Sequence, residues 1–192
     1  MIRCFALAML LAAGAAQIVQ SFGDRFGIGR AMAQVPTEKD VAPGQVNGLV
    51  VSERDYEVSL PTWWTKGRQS EGKWEFYSTK GRERLNIHVR VFDPPARTDE
   101  IEGIAWKFFN TVMSATTPKH AVVQSGWDGV MFSVTGVGIS KDNKVLLASR
   151  FIVSDRKTVS AVHTIPVEAV SLDEYPALER QRLAILKTLR VR

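Results

Sequence analysis

From residue 53 onward apolar and polar positions alternate in short runs, and two longer runs repeat at helical spacing between and after them. Residues 56–60 alternate and meet Pro61, which predicts a first strand, since proline is confined to strand ends and edges. Residues 73–77 and 84–92 alternate as well. In the second of these Leu85, Ile87, Val89 and Val91 share one face, and Asn86, His88 and Arg90 the other. Residues 79–82, TKGR, predict a hairpin turn between the two strands. Asp93-Pro-Pro95 ends the second, and Asp99 with Glu102 three residues later predicts a capping box. The helix that follows carries Ile101, Ile104, Ala105, Phe108, Phe109, Val112 and Met113 on one stripe and closes at Thr116-Thr-Pro118.

Three more alternating runs, 129–136, 145–153 and 158–165, are joined by short polar links at 141–144 and 154–157, the pattern of an antiparallel meander. A weaker run at 120–124 suggests one strand more. Ser171 and Glu174 at capping-box spacing, with Pro176 behind them, open a second helix. Tyr175, Leu178, Ile185, Leu186 and Leu189 form its apolar stripe, while Arg180, Lys187 and Arg190 face elsewhere. The expectation is an α+β fold: one domain over 53–192, with an antiparallel sheet of about six strands flanked by two helices.

Four stretches resemble the PsbP-like fold family, which includes exported DcrB-like bacterial proteins. They are YEVSLPTWW at the domain's opening, LNIHVRVFDP before the first helix, GWDGVMFSVTG, and ALERQRLAILKTL at the end. The resemblance spans residues 53 to 190 and implies a PsbP-like α/β/α sandwich. The family has no shared catalytic apparatus, so the resemblance implies a binding or assembly role and brings no catalytic residue with it.

The amino-terminal segment changes the picture of where the domain works. Arg3 followed by the apolar residues 5–16 has the order of a secretory signal. Gln17, Gln20, Ser21 and Asp24 interrupt the run before the roughly 20 residues that a membrane span needs. Small residues suited to cleavage stand at Ala31-x-Ala33 and at Gly14-x-Ala16. The first is the better tripeptide and the second lies closer to the apolar run. The polar start at Gln34 favours Ala33, giving a signal over 1–33 and a tether over 34–52, rich in Pro, Gly and Asn. An uncleaved amphipathic anchor built on Ile18, Val19, Phe22, Phe26 and Ile28 is the alternative. Cys4 goes with the signal, so an exported chain has to draw its stability from its core, without disulfides. The expected location is periplasmic or secreted, with at most peripheral membrane contact.

The full chain has 25 basic and 20 acidic residues; removal of Arg3, Arg25, Arg30 and Asp24 leaves 22 and 19, a net charge of +3. That excess is mild, and export argues against nucleic acid as a partner. No Gly-x-Ser-x-Gly elbow or other recognised nucleophile setting is present, so the expectation is a non-enzyme, with a hydrolase the remote alternative. His88, His120 and His163 stand at no ligand spacing, and Gly136 and Gly138 make only a fragment of a phosphate-cradling motif; neither metal nor cofactor is expected.

Five tryptophans carry more information. Trp63 and Trp64 are adjacent at a strand end and cannot both point inward without a bend, which places one on a rim with Lys66 and Arg68. Lys66, Arg68, Lys73, Lys80, Arg82 and Arg84 run across the first hairpin, interleaved with Glu71, Glu75 and Glu83, a mixed solvated face. The resulting expectation is an exported accessory protein that binds an envelope protein or an anionic envelope component. Trp63, Trp64, Lys66, Arg68, Lys80 and Arg82 are its partner-binding residues. A small-molecule or lipid carrier using a cleft between sheet and helix is the alternative.

Overall fold

The computed structural model describes residues 48–116, 119–171 and 173–192. Its strands are β1 (Gly48–Ser52), β2 (Tyr56–Pro61), β3 (Trp64–Ser70), β4 (Lys73–Ser78) and β5 (Arg84–Val91), then helix α1 (Ile101–Thr116). After it come β6 (Lys119–Asp128), β7 (Met131–Ile139), β8 (Val145–Val153), β9 (Lys157–Pro166), helix α2 (Tyr175–Lys187) and β10 (Arg190–Val191). The order of strands, helix, strands, helix is the one the sequence pattern implies, and the fold is α+β.

Seven strands form one sheet in the order β3-β4-β5-β9-β8-β7-β6, and β1, β2 and β10 form a second, three-stranded one. Every described pairing is antiparallel, and β7, β8 and β9 are the expected meander. The pleat gives the large sheet two faces. On one, Phe132, Val134, Phe151 and Val153 meet Ile101, Ala105, Phe109 and Met113 of α1. On the other, Phe76, Leu85, Ile87 and Ala161 meet Tyr56, Val58 and Leu60 of the small sheet and Leu183 and Leu186 of α2. The result is three layers with a core on each side of the large sheet.

Several expectations are corrected. The tether does not reach residue 52: residues 48–52 are strand β1, paired along its length with β2. Its composition hides it, and its Leu49 and Val50 stay exposed. β3 shows no alternation because only Trp64 of its seven residues is buried; it is a sheet edge, bent by a bulge between Lys66 and Gln69. These strands and the two-residue β10 raise the count above six. The weaker run at 120–124 lies within β6. The first capping interaction sits two residues earlier than expected, with the Arg97 N–H donating to Glu100 Oε2 at 3.2 Å. Ser171 and Glu174 do hold the start of α2, through Ser171 Oγ and Glu174 Oε2 at 2.8 Å. Residues 1–47, with the expected signal, Cys4 and most of the expected tether, lie outside the described residues, as does Pro118.

Gly136 explains how closely α1 settles. A Cβ there would meet the Phe109 ring at 2.6 Å and the Ala121 carbonyl at 2.8 Å, so the glycine in β7 is a packing requirement. Gly136→Ala should destabilise the protein by about 1–3 kcal/mol, the cost of overpacking a core. Phe109→Leu in the same chain should recover part of that loss. Urea unfolding of the four members of the cycle checks it, and additive effects would place the strain elsewhere.

Candidate functional site: two depressions beside the β4–β5 turn

The turn from β4 to β5 is held at both ends. Ser78 N–H donates to the Glu83 carbonyl at 3.1 Å, and Thr79 donates through its N–H and its hydroxyl to the Trp63 carbonyl, each at 2.8 Å. A depression lies on either side of the turn, and Ser78, Gly81, Arg82 and Glu83 border both. On the α2 side is an open cleft of about 450 Å³ between the turn and the start of α2, with Ile165, Val170 and Leu178 as its apolar wall. Trp63 and Lys80 form its lip, the Lys80 ammonium 4.2 Å from the centre of the Trp63 ring, a cation–π contact. Arg82 pairs with Glu168 at 2.7 Å, joining the hairpin to the turn Val167–Ala169. On the α1 side a hollow of about 500 Å³ is bordered by Tyr77, Arg84, Val145, Thr164 and Pro166.

Beneath the turn is a buried polar group of side chains. Glu83 is 8% exposed and its Oε1 stands 3.7 Å from His163 Nε2, too far for a hydrogen bond. His163 is fully buried, with the Trp64 ring edge-on at 5.2 Å. Arg182, also fully buried, donates through Nη2 to the Leu146 and His163 carbonyls at 3.1 and 2.9 Å, and through Nη1 to Glu179 Oε2 at 2.8 Å. Burial raises the Glu83 carboxyl above the usual range, opposed in part by Ser78 and by the Arg182 charge. Burial likewise raises Glu179, against the pull of Arg182. Burial, and then the Arg182 charge, holds His163 well below the ordinary histidine value.

Of the residues expected to bind a partner, the fold gathers Trp63, Lys80 and Arg82 at the α2-side cleft. Trp64 is not on the rim: it is 5% exposed and packs inward, and Trp63 is the outward one of the pair. Lys66 and Arg68 are separate from the cleft, Lys66 paired with Glu53 and Arg68 exposed on the bulged edge strand. Sequence reasoning missed Glu83, which it read as surface charge, and the His163–Arg182–Glu179 group. A signal for Arg182 was present: it stands four residues from both Leu178 and Leu186 on the apolar stripe of α2. Among the described residues no three His, Cys, Asp or Glu side chains converge as a metal site requires, and no helix is long and apolar enough to cross a membrane.

No family model matches the sequence, and no curated protein matches it significantly. Among solved structures it is similar to the Ran-binding protein Mog1p of Saccharomyces cerevisiae, at 10% identity and a TM-score of 0.48, over 76% of this chain and 95% of that one. It is also similar to LpqN of Mycobacterium tuberculosis, involved in cell envelope biogenesis, at 10% identity and a TM-score of 0.46, over 81% and 97% of the two chains. A third is a structure from Bacteroides thetaiotaomicron, at 12% identity and a TM-score of 0.41, over 71% of this chain and 45% of that one. At this distance no residue role or activity carries across.

The buried group makes stability depend on pH. The unfolded chain protonates His163 below about pH 6.5 while the folded chain resists, so His163 contributes stability that is lost as pH falls through that range. Glu83 and Glu179 act oppositely, because their raised values make their contribution fade as pH rises above the ordinary carboxylate value of 4.5. A His163→Phe variant isolates the first effect. Between pH 6.5 and 5, wild-type unfolding free energy should fall more steeply than the variant's, by up to about 1.4 kcal/mol per pH unit. Urea titrations at a series of pH values measure this, and parallel profiles would mean that His163 titrates alike in both states.

Proposed function

We propose that this protein is an exported, non-enzymatic accessory protein that binds a protein partner of the cell envelope through the α2-side cleft. The observation that carries the reading is the lip of that cleft: a half-buried Trp63 stacked under Lys80, beside Arg82 and above a wall of Ile165, Val170 and Leu178. An aromatic anchor flanked by cations at the mouth of an apolar recess is the composition of an interface centre, where a few such residues supply most of the binding energy. The cleft is open, which suits a side chain or loop projecting from a larger partner. Export is supported by the sequence of residues 1–33. The absence of a recognised nucleophile setting supports a role without catalysis.

A second reading, a small-molecule or lipid carrier, is favoured by the volume of the cleft, which falls within the usual range for ligand pockets. Chemical crosslinking in intact cells, followed by recovery of the tagged protein, separates the two. With the partner reading, Trp63→Ala should lower recovery of the crosslinked species on the order of tenfold, as expected for an interface anchor. Lys80→Ala should have a smaller effect that shrinks at high salt. Recovery unchanged by Trp63→Ala would remove the cleft from the interface. A retained ligand in native mass spectrometry of the gently purified protein would favour the carrier.

A further inference from the structure

Helix α1 lies over β7 and β8 and reaches β6, and it leaves the same sheet face of β9, β5 and β4 open. On β5 the residues of that face are Arg84, Asn86, His88 and Arg90. Across from them stand Thr164, Val162 and Ser160 of β9 and, on the other side, Tyr77, Glu75 and Lys73 of β4. The cations here have no carboxylate partners among the described residues. Arg84 lies over the Tyr77 ring and Arg90 over Phe108 of α1, each 5.6 Å from the ring centre. Lys73 is exposed beside His88, and Arg68, from the bulge of β3, is near enough to act on the Tyr77 hydroxyl.

Of the acidic residues that the sequence interleaves here, Glu71 is exposed at the β3–β4 turn, Glu75 lies on this face and Glu83 does not. Glu83 is turned to the opposite face and buried. Glu75 shares the face, its Oε2 accepting the Tyr77 hydroxyl at 2.6 Å, so one carboxylate stands among Lys73, Arg84, Arg90 and Arg68. The acidic residue of α1, Glu102, is 3.4 Å from Trp106 Nε1, on a ring that packs against Phe109 and Phe132. The cations outnumber that carboxylate, and an excess of positive charge fixed on rigid strands attracts an anion.

Shape and chemistry narrow the anion. Arg84 and Arg90 are six residues apart on one strand, roughly 20 Å at about 3.3 Å per residue. The hollow of about 500 Å³ lies at the Arg84 end. Neutral hydrogen-bonding groups, Asn86, Ser160 and Thr164, lie between the cations. The main-chain groups of β4, β5 and β9 are committed to the sheet, so an acidic peptide would find neither backbone pairing nor a row of apolar sockets. A chain with regularly spaced acidic groups and many hydroxyls meets both kinds of side chain. The geometry points to a binding groove for a linear anionic polysaccharide across β4, β5 and β9, distinct from the Trp63 cleft.

Titration of the full-length protein with oligogalacturonates of increasing length, followed by calorimetry, tests this. Affinity should rise with length until the row is spanned, and Arg84→Gln with Arg90→Gln, which keeps long side chains over both rings, should weaken binding on the order of tenfold or more. Arg54→Gln with Arg180→Gln removes the same charge elsewhere and should leave binding nearly unchanged. On the wild-type protein, amide shift changes in NMR should fall on β4, β5 and β9. Four results would overturn the proposal: equal loss in the control pair, poly-glutamate or anionic phospholipid vesicles binding as tightly as the glycan, shift changes centred on the Trp63 cleft, or no binding.

Discussion

One guanidinium without contact with water sets the position of α2. Arg182 reaches from the helix to the Leu146 carbonyl of β8 and the His163 carbonyl of β9, two main-chain acceptors on neighbouring strands, and holds Glu179 from its own helix. Neither end of the arrangement is fully satisfied, since Arg182 Nε and Glu179 Oε1 lack partners among the described residues. A buried ion pair of this kind costs desolvation that its attraction only partly offsets. What it provides is register: a helix held by hydrophobic contact alone could slide along the sheet, whereas one bonded to two particular carbonyls has a single seat. The cleft beside the β4–β5 turn follows from that seat, because Val170 and Leu178 face the hairpin only when α2 starts where it does.

The large sheet is covered unevenly, and this separates its two surfaces. The small sheet and α2 lie on one face, and α1 lies on part of the other. Where α1 stops, the strands continue with polar residues on the same face, so the boundary of the helix is also the boundary between core and open surface. The pleat then sorts the charges of the first hairpin. Arg84 and Lys73 fall on the open side, while Glu83, one residue from Arg84, is carried beneath the turn beside His163. A stretch that reads as mixed charge thus becomes a face on which cations outnumber carboxylates, backed by the buried Glu83.

The buried polar side chains have an energetic side as well. Burial holds His163, Glu83 and Glu179 toward their neutral forms. Their contributions to stability run in opposite directions as pH changes, so the balance between them, and not any single group, decides where the fold is most stable.

The sequence by itself determined the elements with strong periodicity. β2, β4, β5, β7, β8 and β9 and both helices are legible because half-buried strands alternate and helices on a sheet carry a stripe; burial of one face imprints its period on the residues. It also offered Trp63, Lys80 and Arg82, since aromatic and basic residues next to a turn are visible without coordinates. Tertiary structure alone decided the rest. β1, β3 and β10 have little burial to imprint a pattern and exist through pairing with β2 and β4. Which of Trp63 and Trp64 points inward depends on the bend after Pro61, and the fate of Glu83 depends on which side of the pleat its strand presents to the core. Such choices are made by contacts between residues distant in sequence, as Arg182 with Leu146 and His163 shows, and local periodicity carries no record of them.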